Sequence, residues 1–291
     1  MDKAKRSGIR AGAMAEPERF AESVYTHTVE VNKQLDREYG LPGIDATEAA
    51  GAYAAASQIL KPYLADTLTL LNDALDDGQH VFAEGAQATL LDIDFGTYPY
   101  VTSSSASIGG VCTGLGVPPK FISRTVGVTK AFTTRVGAGP FPTELFGDMG
   151  TRLRGTGANA WDEFGATTGR ARRVGWLDAV VLRYVVRLNG ISELALTKLD
   201  ILTGLDELKI AVGYKIDGGD TRAYPQDAEM LARCEPIFQT LPGWHEDVRG
   251  VRTFAGLPAN CTAYLRAIEA ATGAFVTLAS VGAERDQLIL S

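Results

Sequence analysis

Leu194-Ala195-Leu196-Thr197-Lys198-Leu199-Asp200 is the stretch that decides the fold class of this chain. Its apolar half, Leu194-Ala195-Leu196, reads as a buried strand, and Thr197-Lys198-Leu199-Asp200 as the polar segment at that strand's C-terminal end. The same alternation extends outward. Helix-like and strand-like pieces follow one another at 179–188, 193–199, 207–214, 258–271, 274–280 and 287–290, with a turn at Asp217-Gly218-Gly219-Asp220. Such alternation predicts an α/β fold with a mainly parallel central sheet flanked by helices. In open sheets of this kind ligands bind outside the carboxyl ends of the strands. Lys198 and Asp200 are therefore the first candidates for chemistry.

Upstream the pattern changes twice. Residues 1–79 read as a helical subregion. Phe20, Val24, Val31 and Leu35 recur near the helical period behind Pro17, a residue suited to a first helical position. Asp45 is placed to cap a second helix carrying Tyr53, Ala56 and Leu60 on one face, Pro62 divides it, and Leu64, Leu68, Leu71 and Leu75 continue an apolar stripe. Residues 80–176 form a loop-rich subregion. His80-Val81-Phe82-Ala83 looks like a short buried strand, followed by glycine- and threonine-rich segments of the kind that carry function in compact domains. With 177–291 as a third subregion and no linker between them, the chain is expected to be one α/β domain, 1–291.

Composition sets limits on partners. The net charge of −7 argues against a general nucleic-acid binder. Cys112, Cys234 and Cys261 are scattered and form no CxxC pair, which predicts neither a disulfide framework nor a metal site. The opening Met1-Asp2-Lys3-Ala4-Lys5-Arg6 has no apolar run behind it, and no stretch reaches the ~18 apolar residues of a membrane helix. A cytoplasmic protein is the default expectation. Glycine is in excess, 32 of 291 residues, as expected where backbone bends tightly or approaches a ligand.

Four segments could carry chemistry. A carboxylate such as Asp200 can accept hydrogen bonds from both the ring N–H and the exocyclic amine of guanine while the Lys198 stem packs on the base; a solvated pair at a strand end is the plainer alternative. Gly169-Arg170-Ala171-Arg172-Arg173, preceded by Gly165-Ala166-Thr167-Thr168, offers guanidinium forks and hydroxyls to a dicarboxylate or phosphate. It reads equally as a basic surface loop. Gln87, in Glu84-Gly85-Ala86-Gln87, both donates and accepts and so suits a purine edge, or simply ends a turn. Asp92 and Asp94 are better explained as loop anchors than as an acid–base pair. His27, His80 and His245 assemble no site. The sequence contains no GxSxG, HExxH or G-x-x-x-x-G-K-[ST].

Taken in order, the runs 82–94, 96–104, 135–146, 164–170, 175–178 and 196–200 closely resemble adenylosuccinate synthetase, and the resemblance extends over essentially the whole chain. It implies a fold like that of P-loop nucleotide hydrolases and a GTP- and magnesium-dependent ligation of inosine monophosphate (IMP) to L-aspartate by a homodimer. By the same resemblance Gln87 orients the hypoxanthine ring and is the one catalytic-site residue assigned. Thr102 binds the IMP phosphate, Arg170 also meets IMP, and Arg6 reaches the phosphate from the partner subunit. Val136, Ala166, Thr167, Thr168, Gly169, Arg170 and Arg172 surround aspartate. Arg172, Lys198, Leu199, Asp200, Ser280, Val281 and Gly282 meet GTP.

The family's glycine-rich phosphate loop, its catalytic Asp and His and its magnesium ligands find no counterpart in these residues. The chain is accordingly expected to be an N-terminally truncated member, about two-thirds of a family chain, inactive by itself. The alternative is a non-catalytic purine-nucleotide- and aspartate-binding or regulatory module that pairs with full-length subunits.

Overall fold

A computed structural model describes residues 2–165 and 169–291, so Ala166, Thr167 and Thr168 of the candidate aspartate loop lie outside the described residues. The chain divides into two compact units, residues 1–81 and 82–291.

The first unit is helical: α1 (Asp2–Lys5), α2 (Pro17–Gln34), α3 (Ala46–Leu60) and α4 (Thr67–Asp76). Pro17 begins α2. The Asp45 carboxylate accepts from Thr47 N at 2.8 Å and Glu48 N at 3.0 Å, satisfying two of the donors that a helix start leaves open. Pro62 sits in the 3₁₀ turn that ends α3. The core is small: Phe20, Val24 and Ala50, with Ala13, Met14 and Ala21 against them. Two stripes read from the sequence are not core. Tyr53 and Leu60 are exposed, the buried face of α3 running instead through Ala50 and Ser57, and α4 buries none of its residues. Small residues at Ala50 and Ser57 let α3 approach α2 closely, turning the bulky face outward.

Every strand among the described residues lies in the second unit: β1 (Val126–Lys130), β2 (Thr133–Arg135), β3 (Arg173–Gly175), β4 (Leu177–Asp178), β5 (Glu193–Thr197), β6 (Glu207–Ile216), β7 (Gly219–Thr221), β8 (Glu235–Pro242), β9 (Phe275–Ser280) and β10 (Leu288–Leu290). Its helices are α5 (Gly109–Leu115), α6 (Gly147–Arg154), α7 (Ala179–Asn189), α8 (Ala228–Ala232) and α9 (Ala259–Thr272). The central sheet runs β1-β5-β9-β10. β1–β5 and β5–β9 pair parallel and β10 closes the edge antiparallel. The sheet is mainly parallel and the fold is α/β. A second sheet centres on β6, paired parallel with β4 and antiparallel with β7 and β8. Asp217-Gly218, both at positive φ, make the tight β6–β7 hairpin turn.

The alternating burial of β5 shows why the sequence forms a strand there: Leu194 and Leu196 are fully buried. They join Leu199, Leu202, Ile210, Trp244, Tyr264 and Ile268 in one core, and Tyr264 OH donates to Ala131 O at 2.6 Å across it. His80-Val81-Phe82-Ala83 is not a strand. It belongs to none of the sheets, and Phe82 is 90% exposed. An apolar run becomes a strand only beside a neighbour that takes its backbone hydrogen bonds. Among the described residues no helix is long and apolar enough to cross a membrane.

Candidate functional site

Register gathers the site. Lys130 at the end of β1 pairs with Thr197 at the end of β5, and Leu196 pairs with Ala279 near the end of β9. The carboxyl ends of three adjacent parallel strands thus bring Lys130, Lys198 and Ser280 to one edge, where open α/β sheets place ligands.

Lys198 leaves β5 in the left-handed region, φ 69°, and Leu199 and Asp200 follow in a 3₁₀ turn. Among the described residues the non-glycine positions at positive φ are Arg6 (58°), Gln87 (62°), Lys198 (69°) and Asp217 (48°). Asp217 belongs to the hairpin; the other three are residues that the sequence marked for ligands. A non-glycine residue held there costs on the order of 1 kcal/mol and persists where the surroundings require it. Leu199 is buried and Asp200 half-buried. Burial pushes the Asp200 carboxyl up from its ordinary 3.8, opposed by a backbone hydrogen bond and by the charges of Lys198 and Arg249.

The Lys198 ammonium donates to Trp161 O and lies 3.4 Å from Glu163 Oε1. Glu163 is 2% exposed. Its Oε2 takes Lys130 Nζ at 2.5 Å and an Arg172 Nη1 hydrogen bond at 2.8 Å. Burial pushes this carboxyl up, but Lys130, Lys198 and Arg172 together outweigh it and hold Glu163 below its ordinary value. Lys130 is lowered, chiefly by burial and further by its cationic neighbours. Three cations from three segments thus share one buried carboxylate.

The loop that ends in Arg172 is closed at its base. Arg172 N donates to Glu163 O at 2.9 Å, Phe164 bridges Ala171, and Gly165 N donates to Arg170 O at 2.8 Å. Gly169 turns at φ 63°, and Arg170 is exposed.

On another part of the same unit, Ser104 Oγ donates to Gln87 Oε1 at 3.2 Å and contacts Thr102 Oγ1 at 3.5 Å, bringing Gln87 and Thr102 together. The segment between them is fastened by Asp92. Its buried carboxylate accepts from Asp94 N, Phe95 N and Ser107 N at 2.9, 3.0 and 2.9 Å. Burial raises this carboxyl and those hydrogen bonds more than offset it. Asp92 is therefore the loop anchor, with Asp94 exposed beside it. Arg135 ties the next loop, donating to Thr97 Oγ1 at 2.9 Å and Ala138 O at 3.0 Å, and Val136 is 52% exposed beyond it. At the β9 end Ser280 Oγ donates to Gly282 O at 2.8 Å and Val281 is buried. A Cβ at Gly282 would lie 2.0 Å from Gln287 Oε1, so a side chain there would displace that amide.

The family model described as adenylosuccinate synthetase matches residues 1–289. The chain belongs to the adenylosuccinate synthetase family. It is 49% identical over 289 residues to adenylosuccinate synthetase of Carboxydothermus hydrogenoformans, covering 99% of this chain and 67% of the relative. The counterpart from Moorella thermoacetica is 48% identical over 290 residues, covering 100% and 67%. The fold matches fully ligated adenylosuccinate synthetase from Plasmodium falciparum with a TM-score of 0.92 at 37% identity, covering 100% of this chain and 68% of that one. The chain thus spans about two-thirds of the length of these adenylosuccinate synthetases.

Against that family, the structure gathers Lys198, Leu199, Asp200 and the Ser280–Gly282 turn at one sheet end, joins Lys198 to Arg172 through Glu163, and joins Gln87 to Thr102. Arg6 is exposed in the helical unit. Among the described residues no three His, Cys, Asp or Glu side chains converge as a metal-binding group. Sequence reasoning missed Glu163 and Lys130. Glu163 stands next to the quoted run beginning at Phe164, but its partners lie 33, 9 and 35 residues away in the chain, and no motif joins them.

Proposed function

We propose that this chain forms the base-reading, aspartate and IMP pockets of an adenylosuccinate synthetase, a ligase that uses GTP to join IMP to L-aspartate through a 6-phosphoryl intermediate. The observation that carries the reading is the strand-end turn, where Asp200 and Lys198 stand side by side at the edge to which Arg172 is also tied. A carboxylate there accepts from the two adjacent N–H donors of guanine and finds no matching pair on adenine.

The residues divide the work. Lys198, Asp200 and the Ser280–Gly282 turn hold the base. Arg170 and Arg172 take the aspartate carboxylates and aim its amine. Gln87 and Thr102 hold the hypoxanthine edge and the phosphate of IMP. Positioning of this kind converts encounters between three solutes into reaction within one assembly, and phosphoryl transfer depends on positioning and charge neutralisation more than on covalent help from protein. The same reading makes the working unit a homodimer in which Arg6 of one protomer reaches the IMP phosphate held by the other.

The test is titration calorimetry of the 291-residue chain with GDP, ADP, IMP and L-aspartate. GDP is expected to bind at least tenfold more tightly than ADP; equal affinity would sink the base-reading assignment. The 291 residues by themselves are expected to bind without turnover, and steady formation of adenylosuccinate by the purified chain would overturn that expectation. Arg170→Leu should weaken aspartate by about 10–150-fold, the range for a charge-assisted hydrogen bond of about 1.5–3 kcal/mol, and leave GDP within twofold. An unchanged aspartate isotherm would remove Arg170 from that pocket.

A further inference from the structure

We propose that Glu163 is a positioning residue that couples the nucleotide pocket to the aspartate pocket, so that each ligand tightens the other. The proposal rests on the reading above, in which Lys198 meets the base and Arg172 meets aspartate.

The geometry is unequal. Oε2 of the buried Glu163 carries both Lys130, at 2.5 Å, and Arg172, at 2.8 Å. Oε1 is buried, makes no hydrogen bond among the described residues and faces Lys198 Nζ at 3.4 Å. Arg172 Nε is likewise buried without a hydrogen-bond partner. One negative charge is divided among three positive ones, and the lysine of the base-reading turn holds the loosest share. Burial weakens solvent screening, so the division matters energetically.

The sign of the coupling follows. A ligand carboxylate that engages Arg172 draws part of that guanidinium's charge away from Glu163. More of the Glu163 charge is then available to Lys198, whose approach to Oε1 satisfies a buried acceptor that is otherwise left without a hydrogen bond. With its ammonium pinned between Trp161 O and Glu163, the Lys198 stem becomes a fixed surface for the base. Aspartate should therefore tighten guanine nucleotide, and by linkage the nucleotide must tighten aspartate by the same factor.

The test is to titrate the 291-residue chain with GDP in the absence and presence of saturating L-aspartate. Binding is read by calorimetry and by fluorescence of Trp161, which is 46% exposed beside the Lys198 contact. In the wild-type chain aspartate should lower the GDP Kd at least fivefold, within the ~5–150-fold range of ordinary site-to-site coupling. In Glu163→Gln, which keeps shape and removes charge, the ratio should fall below twofold while GDP alone still binds. A variant that melts at lower temperature yet keeps the wild-type ratio would show Glu163 to be structural only and overturn the proposal. So would a wild-type chain that binds both ligands without linkage, an outcome that leaves the functional reading standing. If the wild-type chain takes up neither ligand, the functional reading falls and this proposal with it. Should Glu163→Gln not fold by circular dichroism, Glu163→Asp keeps the charge but withdraws it by one methylene. A ratio at the wild-type value there would equally overturn the proposal, and a ratio below twofold would support it.

Discussion

Asp200→Asn is expected to weaken GDP binding by about 30–150-fold, about 2–3 kcal/mol for hydrogen bonds to a charged group, and to move the base preference away from guanine. Guanine presents two adjacent donors, the ring N–H and the exocyclic amine. A carboxylate accepts both; an amide accepts one and turns its own N–H₂ group against the other. Xanthine keeps the ring N–H and replaces the exocyclic amine with a carbonyl, so it matches the amide. Xanthosine diphosphate should therefore bind Asp200→Asn better than GDP does, reversing the wild-type order. The site should also respond to pH. Burial pushes the Asp200 carboxyl upward from 3.8, and only the ionised form accepts both bonds. GDP affinity should fall as pH drops through that raised value in wild type and stay flat in the asparagine variant. Competition calorimetry with the two diphosphates decides the matter, and a variant that still prefers GDP would end the role given to Asp200.

How much of this was legible in the sequence depends on whether the cause was local. Asp45 as a cap, Pro17 at a helix start and Asp217-Gly218 as a hairpin turn are each fixed by a few neighbouring residues, and all were readable. The β5 strand and its polar end were readable because alternation and the following turn lie in one short stretch. His80-Val81-Phe82-Ala83 misled because a strand is a property of a pair, and apolar content says nothing about who stands beside it. Tyr53 and Leu60 misled for a related reason: periodicity identifies two faces of α3, but only the partner helix decides which one is covered. Glu163 was illegible. Its significance comes from Lys130 at the end of β1, Lys198 at the end of β5 and Arg172 beyond the loop, and those three meet only once the parallel register is set.

Asp178→Ala should strongly destabilise the second unit. Asp178 is 3% exposed and caps α7, accepting from Val180 N at 3.0 Å and Val181 N at 3.1 Å. Its other oxygen accepts from Tyr214 OH at 2.5 Å, and Tyr214 is fully buried. Loss of a cap costs about 0.5–2 kcal/mol, and a buried hydroxyl left without a partner about 1–3 kcal/mol more. The sum, about 1.5–5 kcal/mol, corresponds to a melting temperature lower by about 3–20 °C for a unit of this size. The damage should reach the ligand loops. α7 holds the segment near Gln87 and Thr102 through Tyr184 OH on Phe95 O at 2.8 Å, Asn189 Nδ2 on Thr89 Oγ1 at 3.1 Å, and Ile108 N on Asn189 Oδ1 at 2.8 Å. Amide exchange in 89–108 should accelerate along with α7. Asp178→Asn separates the cap from the charge. Burial pushes the Asp178 carboxyl up to about 6 from 3.8, against its hydrogen bonds. The folded chain therefore holds a proton that the unfolded chain releases between those values. Stability from this group is greatest at low pH, declines as pH rises from 3.8 to about 6, and is level above. The decline amounts to about 3 kcal/mol at 1.36 kcal/mol per unit. Glu163 and Asp92, whose carboxyls are held low, run the other way, gaining stability as pH rises from their lowered folded values to their unfolded ones. The difference between wild type and Asp178→Asn, measured by urea unfolding across that range, cancels those two and leaves Asp178 alone. Asparagine should lose little cap strength, since it is as good a cap as aspartate. Its stability relative to wild type should improve steadily as pH rises to about 6. A difference that does not vary with pH would mean that the buried carboxyl titrates at its ordinary value.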